Sequence, residues 1–421
     1  MKSRVAMIQI FSHREPALLI TGRAISNLGD GVANVALSLT VYALAAPHQR
    51  AADLGYFGAA RLIPMVAFIL IGGVIVDRFS RRTLMLISDV GRCVLVAAVA
   101  TLAATGHLQF WHLLCMAFLF GAFDAVFMPA STALIPQIVP EELLGAMNAI
   151  RPLSNNVMAN MAGPALGGLI AAHSTSVALY VDAASFALSA VALALMRPTE
   201  RPARSENSSM LKEILEGVAY VRRTTWIWTT LAVVTFTNAL IFTPIFTFIP
   251  FFLLHDLHAS KAYVGYSFAV TGFAGMIGTL IVGSRATPRR RVRVMWISWL
   301  ISLGAIFIFA AATNVWELFV VLLVMSPTLI YGNVIWESML QSEVPRELLG
   351  RVSALDWFAS MGLAPAGLVI VALAISAFGV RSYFAVAAAI SVVPSVVLLV
   401  SRRVNSVDRD RVDAESPEPD G

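Results

Sequence analysis

Arg23, Asn27, Asp30 and Asn34 follow one another at steps of four, three and four residues, which places all four along one face of a helix. The stretch that carries them, from Ala17 past Tyr42, is otherwise apolar and has no small-residue cleavage site, so it reads as an uncleaved first helix. A carboxyl group in such a setting can bind and release protons, and an amide can bond a ligand or a neighbouring helix. Asp124 stands in a later apolar run, and Arg61 just before Pro64 in the second. An ionised side chain at mid-bilayer costs about 2.5–3.5 kcal/mol on insertion scales, so such groups face a bundle interior or an aqueous cavity. Asp30 lies about 14 residues from one end of its helix and Asp124 about 15 from one end of its own, near mid-depth at 1.5 Å per residue. Two outcomes are open: proton carriage, or a permanent ion pair of Asp30 with Arg61 or Arg23. Arg61 can instead pair with Asp124 or hold an anionic substrate. Asp89 and Arg92, three apart, read as a local pair.

The elements that must hold these groups follow from composition. Of 421 residues, 58% are hydrophobic and 13% charged, against roughly a quarter charged in a soluble domain, and the mean hydropathy is +0.77. The chain is therefore expected to be an all-α membrane protein. A soluble enzyme and a nucleic-acid partner are excluded. Apolar runs of about 20 residues predict spans near 17–45, 53–77, 84–105, 109–135, 147–172 and 177–196, then near 226–254, 262–284, 293–312, 315–343, 352–377 and 380–401. The organisation is a cytoplasmic N-terminus over 1–16, a six-helix bundle over 17–196, a cytoplasmic linker over 197–225, a second six-helix bundle over 226–402 and a disordered tail over 403–421. Cys93 and Cys115 both lie in apolar runs, and the seven His show no metal-ligand spacing, so neither metal nor cofactor is expected. No phosphate-binding Gly-x-x-x-x-Gly-Lys-[Ser/Thr] loop or catalytic cluster is present.

The halves resemble each other. At an offset of 205, Trp111 to Ala149 aligns without gaps on Trp316 to Ala354 with nine identities in 39 pairs, including Pro140-Glu141-Glu142-Leu143-Leu144-Gly145 against Pro345-Arg346-Glu347-Leu348-Leu349-Gly350. Duplicated, pseudo-symmetric six-helix halves are a transporter architecture. Of the 30 Lys and Arg, 23 fall on one side of the predicted spans, which makes both termini cytoplasmic. The dominance of Arg over Lys hints at a GC-rich bacterium, hence a bacterial inner membrane.

Between the second and third spans stands Gly72-Gly73-Val74-Ile75-Val76-Asp77-Arg78-Phe79-Ser80-Arg81-Arg82. It resembles the signature loop of the major facilitator superfamily, Gly-x-x-x-Asp-Arg-x-x-Arg-Arg. Gly163-Pro164-Ala165-Leu166-Gly167-Gly168 in the fifth span looks like the core of the element associated with the exporter branch, without its upstream glycines. Ser26-Asn27-Leu28-Gly29-Asp30-Gly31, Phe127-Met128-Pro129-Ala130 and Pro345-Arg346-Glu347-Leu348-Leu349-Gly350-Arg351-Val352 resemble the subgroup of macrolide-efflux proteins and enterobactin exporters.

The resemblance implies a twelve-helix fold working as a monomer, with the first and fourth helices lining a central cavity. It makes Asp30 and Asp124 candidates for proton coupling, although drug antiporters of the family often carry Arg in the fourth helix. Asn27, Asn34, Arg61, Asn238, Phe242, Tyr331, Asn333 and Glu337 are the substrate-cavity candidates. Phe246, Phe248, Tyr331, Trp336 and Met128 either stack on a large apolar ligand or pack and face lipid. Gly73, Asp77, Arg78, Arg81, Arg82, Asp89, Arg92, Arg151 and Asp356 form the conformational loop and gate, with Asp356 a candidate partner of Arg78. The expected function is secondary, proton-coupled export of a bulky lipophilic or amphipathic small molecule such as a drug, macrolide or siderophore. The alternatives are an importer or facilitator of a polar metabolite and a non-transporting sensor. Small-molecule substrate, protons and membrane lipid are the expected partners.

Overall fold

A computed structural model of the chain describes residues 9–69, 79–197, 210–284 and 288–408. The expectations for Gly73, Asp77 and Arg78, for residues 198–209 of the linker and for the tail from 409 lie outside the described residues. Within them all regular structure is helical. The first six rods are α1 (Arg14–Leu44), α2 (Arg50–Ile69), α3 (Arg81–Ala104), α4 (Phe110–Ile138), a composite α5 over 144–173 and α6 (Thr175–Leu195). After an amphipathic helix Met210–Arg223 come α7 (Thr225–Asp256), α8 (Ala262–Ser284), α9 (Arg291–Ala311), α10 (Val315–Glu343), α11 (Glu347–Phe378) and α12 (Val380–Val400).

Among the described residues nine helices, α3, α4 and α6 to α12, are long and apolar enough to cross a membrane. The helices α1, α2 and α5 carry Arg23 and Asp30, Arg61, and Arg151, whose charge lowers their hydropathy. Twelve crossings therefore remain an expectation of the sequence.

The breaks between rods have local causes. Pro140 and Pro345 precede α5 and α11, and Gly379 stands at φ +81° between α11 and α12, a conformation open to glycine. The Asn314 side chain caps α10 by accepting from the N–H groups of Trp316 and Glu317, each at 3.0 Å. In α5, Pro164 has no N–H for the carbonyl four residues back, and the helix widens into a π-helical segment, Asn156–Ala162. The carbonyl oxygen of Asn160 lies so near Gly272 of α8 that a Cβ there would come within 2.2 Å of it.

The chain divides into two compact units, Met1–Glu206 with Thr247–Phe273, and Asn207–Phe246 with Ala274–Gly421. The first has a core of Leu19, Ile20, Met85, Phe127, Leu134 and Met147, drawn from α1, α3, α4 and α5. The second has a tryptophan-rich core including Trp226, Trp296, Trp299, Trp336 and Met339. Between helices in lipid such interiors cohere by close packing and dispersion.

Candidate functional site

In the first unit the charges on α2, α3 and α4 meet at Asp124. Arg92 Nη1 donates to Asp124 Oδ1 at 2.8 Å, and Arg61 Nη2 reaches Asp124 Oδ2 at 3.4 Å. Arg92 also pairs through Nη2 with Asp89 Oδ1, and the Ser189 hydroxyl of α6 donates to Asp89 Oδ2 at 2.6 Å. Arg61 Nη1 donates to Asn34 Oδ1 of α1 at 2.8 Å. Aromatic faces enclose the cations: Arg92 lies 4.4 Å from the Phe127 centroid and 4.6 Å from that of Phe186, and Arg61 lies 4.7 Å from that of Phe120. Two close approaches set this geometry. A Cβ on Gly121 would sit 2.0 Å from the Arg61 carbonyl oxygen, and one on Gly91 would strike the Phe123 ring. Each glycine is within one turn of a charge it brings into register, Gly121 of Asp124 and Gly91 of Arg92.

Asp30 stands apart. Among the described residues its carboxyl group has no hydrogen-bond or ion-pair partner, while Asp124, Arg92, Arg61 and Arg23 lie within Coulombic reach. The permanent pair with Arg61 or Arg23 is thus not made: Arg61 is bonded to Asp124 and Asn34, and Arg23 lies over the Phe127 ring at 4.7 Å with Nη2 3.9 Å from Met128 sulfur. Sequence reasoning missed Asp182 of α6, which is fully buried against Gly29, has the Ser185 hydroxyl 3.4 Å from its Oδ1 and leaves Oδ2 without a partner among the described residues. Its signal was available, since any acid in an apolar run is suspect. The described cluster thus holds three guanidinium groups (Arg23, Arg61, Arg92) and four carboxyl groups (Asp30, Asp89, Asp124, Asp182). A desolvated cluster of that composition is neutral when it keeps one proton.

Asn27 lines a cavity of about 330 Å³ in the same unit, together with Arg23, Ser131, Asn148 and Arg151. Arg151 Nη2 lies 3.4 Å from the Thr132 hydroxyl oxygen. Asn34 and Arg61 line neither this cavity nor the next one. The glycines of the helix-5 element are packing points: a Cβ on Gly163 or Gly167 would meet α1 backbone at 2.6 and 2.7 Å, and one on Gly168 would meet Gly265 at 2.8 Å. Pro164 is buried beside them. Arg81 donates to the Ala133 carbonyl at 2.7 Å, and Arg82 to those of Leu193 and Ala194 at 2.7 Å each, so the start of α3 closes the ends of α4 and α6.

The second unit holds a cavity of about 280 Å³ whose wall includes Asn238, Phe242, Asn333 and Glu337 from the sequence-derived set. Tyr331 instead packs against the unit's core. Trp296, Trp299 and Trp357 complete an indole wall with Trp336, and Asp356 joins it. Trp299 Nε1 donates to Asn333 Oδ1 at 3.0 Å, and Trp336 Nε1 donates to Asp356 Oδ1 at 2.9 Å. Sequence reasoning had no account of Trp296 and Trp299, although their spacing of three puts them on one helix face.

The chain matches the family model described as Major Facilitator Superfamily over residues 19–365. It is 26% identical over 395 residues to the multidrug efflux pump Tap of Mycobacterium tuberculosis, covering 89% of this chain and 90% of that one. To macrolide efflux protein A of Streptococcus pyogenes it is 20% identical over 405 residues, 92% of this chain and 96% of the other. It is 28% identical over 213 residues to the Bacillus subtilis protein YfiS, described as an uncharacterized MFS-type transporter, where the match spans 49% of this chain and 48% of that one. Among solved structures the nucleoside transporter NupG superposes with a TM-score of 0.71 at 12% identity, over 91% of this chain and 100% of the other. At that identity the likeness speaks for the fold alone. With most of its length matched by one family model, this chain belongs to the major facilitator superfamily.

Proposed function

We propose that this protein is a secondary exporter of a bulky lipophilic or amphipathic compound, driven by inward proton flow through alternating access of its two halves. The observation that carries the proton half is the contrast between two carboxyl groups. Asp124 has both Arg61 and Arg92 as bonded partners, whereas Asp30 has none among the described residues. A carboxylate bonded to two guanidinium groups is committed to them as their counter-ion, whereas one without such partners is available to a proton. Asp30 is therefore the coupling group and Asp124 its electrostatic neighbour, with Arg81, Arg82, Asp89, Arg92, Arg151 and Asp356 serving the conformational change.

What supports export of a bulky compound is the indole-lined cavity and the relatives named as efflux proteins. The polar wall of the first-unit cavity, with Arg23, Asn27, Asn148 and Arg151, favours a second reading, uptake of a polar metabolite. The site of action is a bacterial inner membrane, with both termini in the cytoplasm and the monomer as working unit.

Counterflow in proteoliposomes with an imposed pH gradient tests the mechanism. A gradient should drive lipophilic compounds outward with respect to the cell; movement that ignores the gradient ends the coupling claim, and accumulation of a polar metabolite favours uptake.

A further inference from the structure

Resting on the exporter reading, we infer that the cavity of the second unit is a binding site for a lipophilic organic cation, seated against indole faces with its charge toward Glu337. Its wall presents Trp296, Trp299, Trp336, Trp357 and Phe242, and among its lining residues there is no Lys, Arg or His. Aromatic faces are electron-rich and hold organic cations at up to about 6 Å from the ring centroid. A wall of this kind without a basic residue gives an anion no counter-charge and a cation two carboxyl groups, Glu337 and Asp356.

The two acids in the wall play different parts. Asp356 already accepts the Trp336 N–H at 2.9 Å, which fixes that indole in place. Glu337 has no hydrogen bond or ion pair among the described residues and is exposed at the cavity wall. An anionic group beside desolvated aromatic surface lowers the free energy of a cation more than that of a neutral molecule of the same shape.

A second observation points to the ligand independently of charge. Trp296 is only 1% exposed, lines the cavity, and its indole N–H has no acceptor among the described residues. A buried donor without an acceptor costs free energy that an occupant can restore. The occupant is thus an aromatic or polycyclic cation, and a hydrogen-bond acceptor on it would satisfy the Trp296 N–H as well. At about 280 Å³ the cavity is at the lower end of small-molecule sites and holds a compact cation or the charged part of a larger one.

The test is tryptophan-fluorescence titration of the purified full-length protein with tetraphenylphosphonium, its neutral relative triphenylphosphine, which like the cation has no oxygen acceptor, and the anion tetraphenylborate. Wild type should bind the cation about tenfold more tightly than the neutral compound. Glu337→Gln should erase that margin, and Glu337→Lys should turn the preference toward tetraphenylborate, with melting curves to confirm that both variants fold. The wild-type comparison needs no variant. Equal affinity of wild type for cation and neutral compound, or an unchanged margin in folded Glu337→Gln, overturns the inference. Cation binding through Glu337 without gradient-driven transport upholds it and removes only the exporter reading. Gradient-driven export of neutral compounds with no cation binding does the reverse.

Discussion

Arg92 of α3 and Asp124 of α4 are joined at 2.8 Å, and this bond turns what would be a local pair with Asp89 into the hub of the first unit. The guanidinium is 1% exposed, so its two carboxylates are its solvation. Replacing such a pair by apolar groups can be harmless, but removing one partner strands a buried charge.

Arg92→Met leaves Asp89 buried with the Ser189 hydroxyl as its one hydrogen-bond partner among the described residues. A loss of about 3–5 kcal/mol is expected, seen as a collapse in yield and thermal stability of the detergent-solubilised protein. A variant that melts with wild type would show that Arg92 is not the hub.

Asp30→Asn should behave in the opposite way. With no bonded partner to lose among the described residues, the folded protein should melt within a degree or two of wild type, while gradient-driven transport disappears and gradient-independent exchange persists. Drug resistance conferred on a sensitive host should fall to background. Full resistance with the Asn variant would transfer the coupling role elsewhere.

Asp182→Asn tests the charge balance of the cluster. Among the described residues one carboxyl oxygen of Asp182 has no partner and the other has only the Ser185 hydroxyl at 3.4 Å, a contact an amide oxygen can keep. The neutral isostere should leave thermal stability unchanged or raise it, whereas Asp89→Asn should lower it.

Gly121→Ala would force a methyl group to 2.0 Å from the Arg61 carbonyl oxygen, which is backbone and cannot rotate away. Spreading α2 from α4 should cost about 1–3 kcal/mol and loosen the Arg61 contact to Asp124. Gly145→Ala, where no described residue lies within 4 Å, is the matched control and should be neutral.

Beyond the last helix, Asp408 Oδ2 accepts the Val292 N–H at 3.0 Å and so caps α9 from a distance in sequence. Burial pushes its carboxyl group above the ordinary value of 3.8. The folded state then binds this proton more tightly than the unfolded one, so stability is fully present below 3.8 and falls as pH rises through the raised folded value. Asp408→Asn keeps an acceptor and should flatten that part of the pH–melting curve; Asp408→Ala should flatten it too, costing about 1 kcal/mol at low pH and less as pH rises. Identical curves for wild type and Asn would remove Asp408 from the pH dependence.

The helical rods were legible in the chain because a lipid-embedded backbone must satisfy its own hydrogen bonds, so each apolar run of about 20 residues has one way to fold. Observed ends at Leu44, Ala104, Leu195 and Val400 fall within a residue or so of the expected ones. The polar face of α1 was equally readable from its spacing. What became of its members was not: Asn27 borders a cavity, Asn34 is tied to Arg61, and Asp30 is left unbonded among the described residues. Likewise Asn333 and Glu337 were visible as polar residues on α10, while the indoles of Trp296 and Trp299 that share their cavity come from α9.

Amino-acid order alone determined the membrane class, the rods and which side chains are too polar to face lipid, since those follow from transfer free energy and helical period along one segment. Which acid meets which arginine depends on helix approaches set by Gly91 and Gly121 against partners far along the chain, and only packing in three dimensions decides that. A pair three residues apart is local arithmetic; the Arg92–Asp124 bond spans 32 residues and two rods, and no periodicity encodes it.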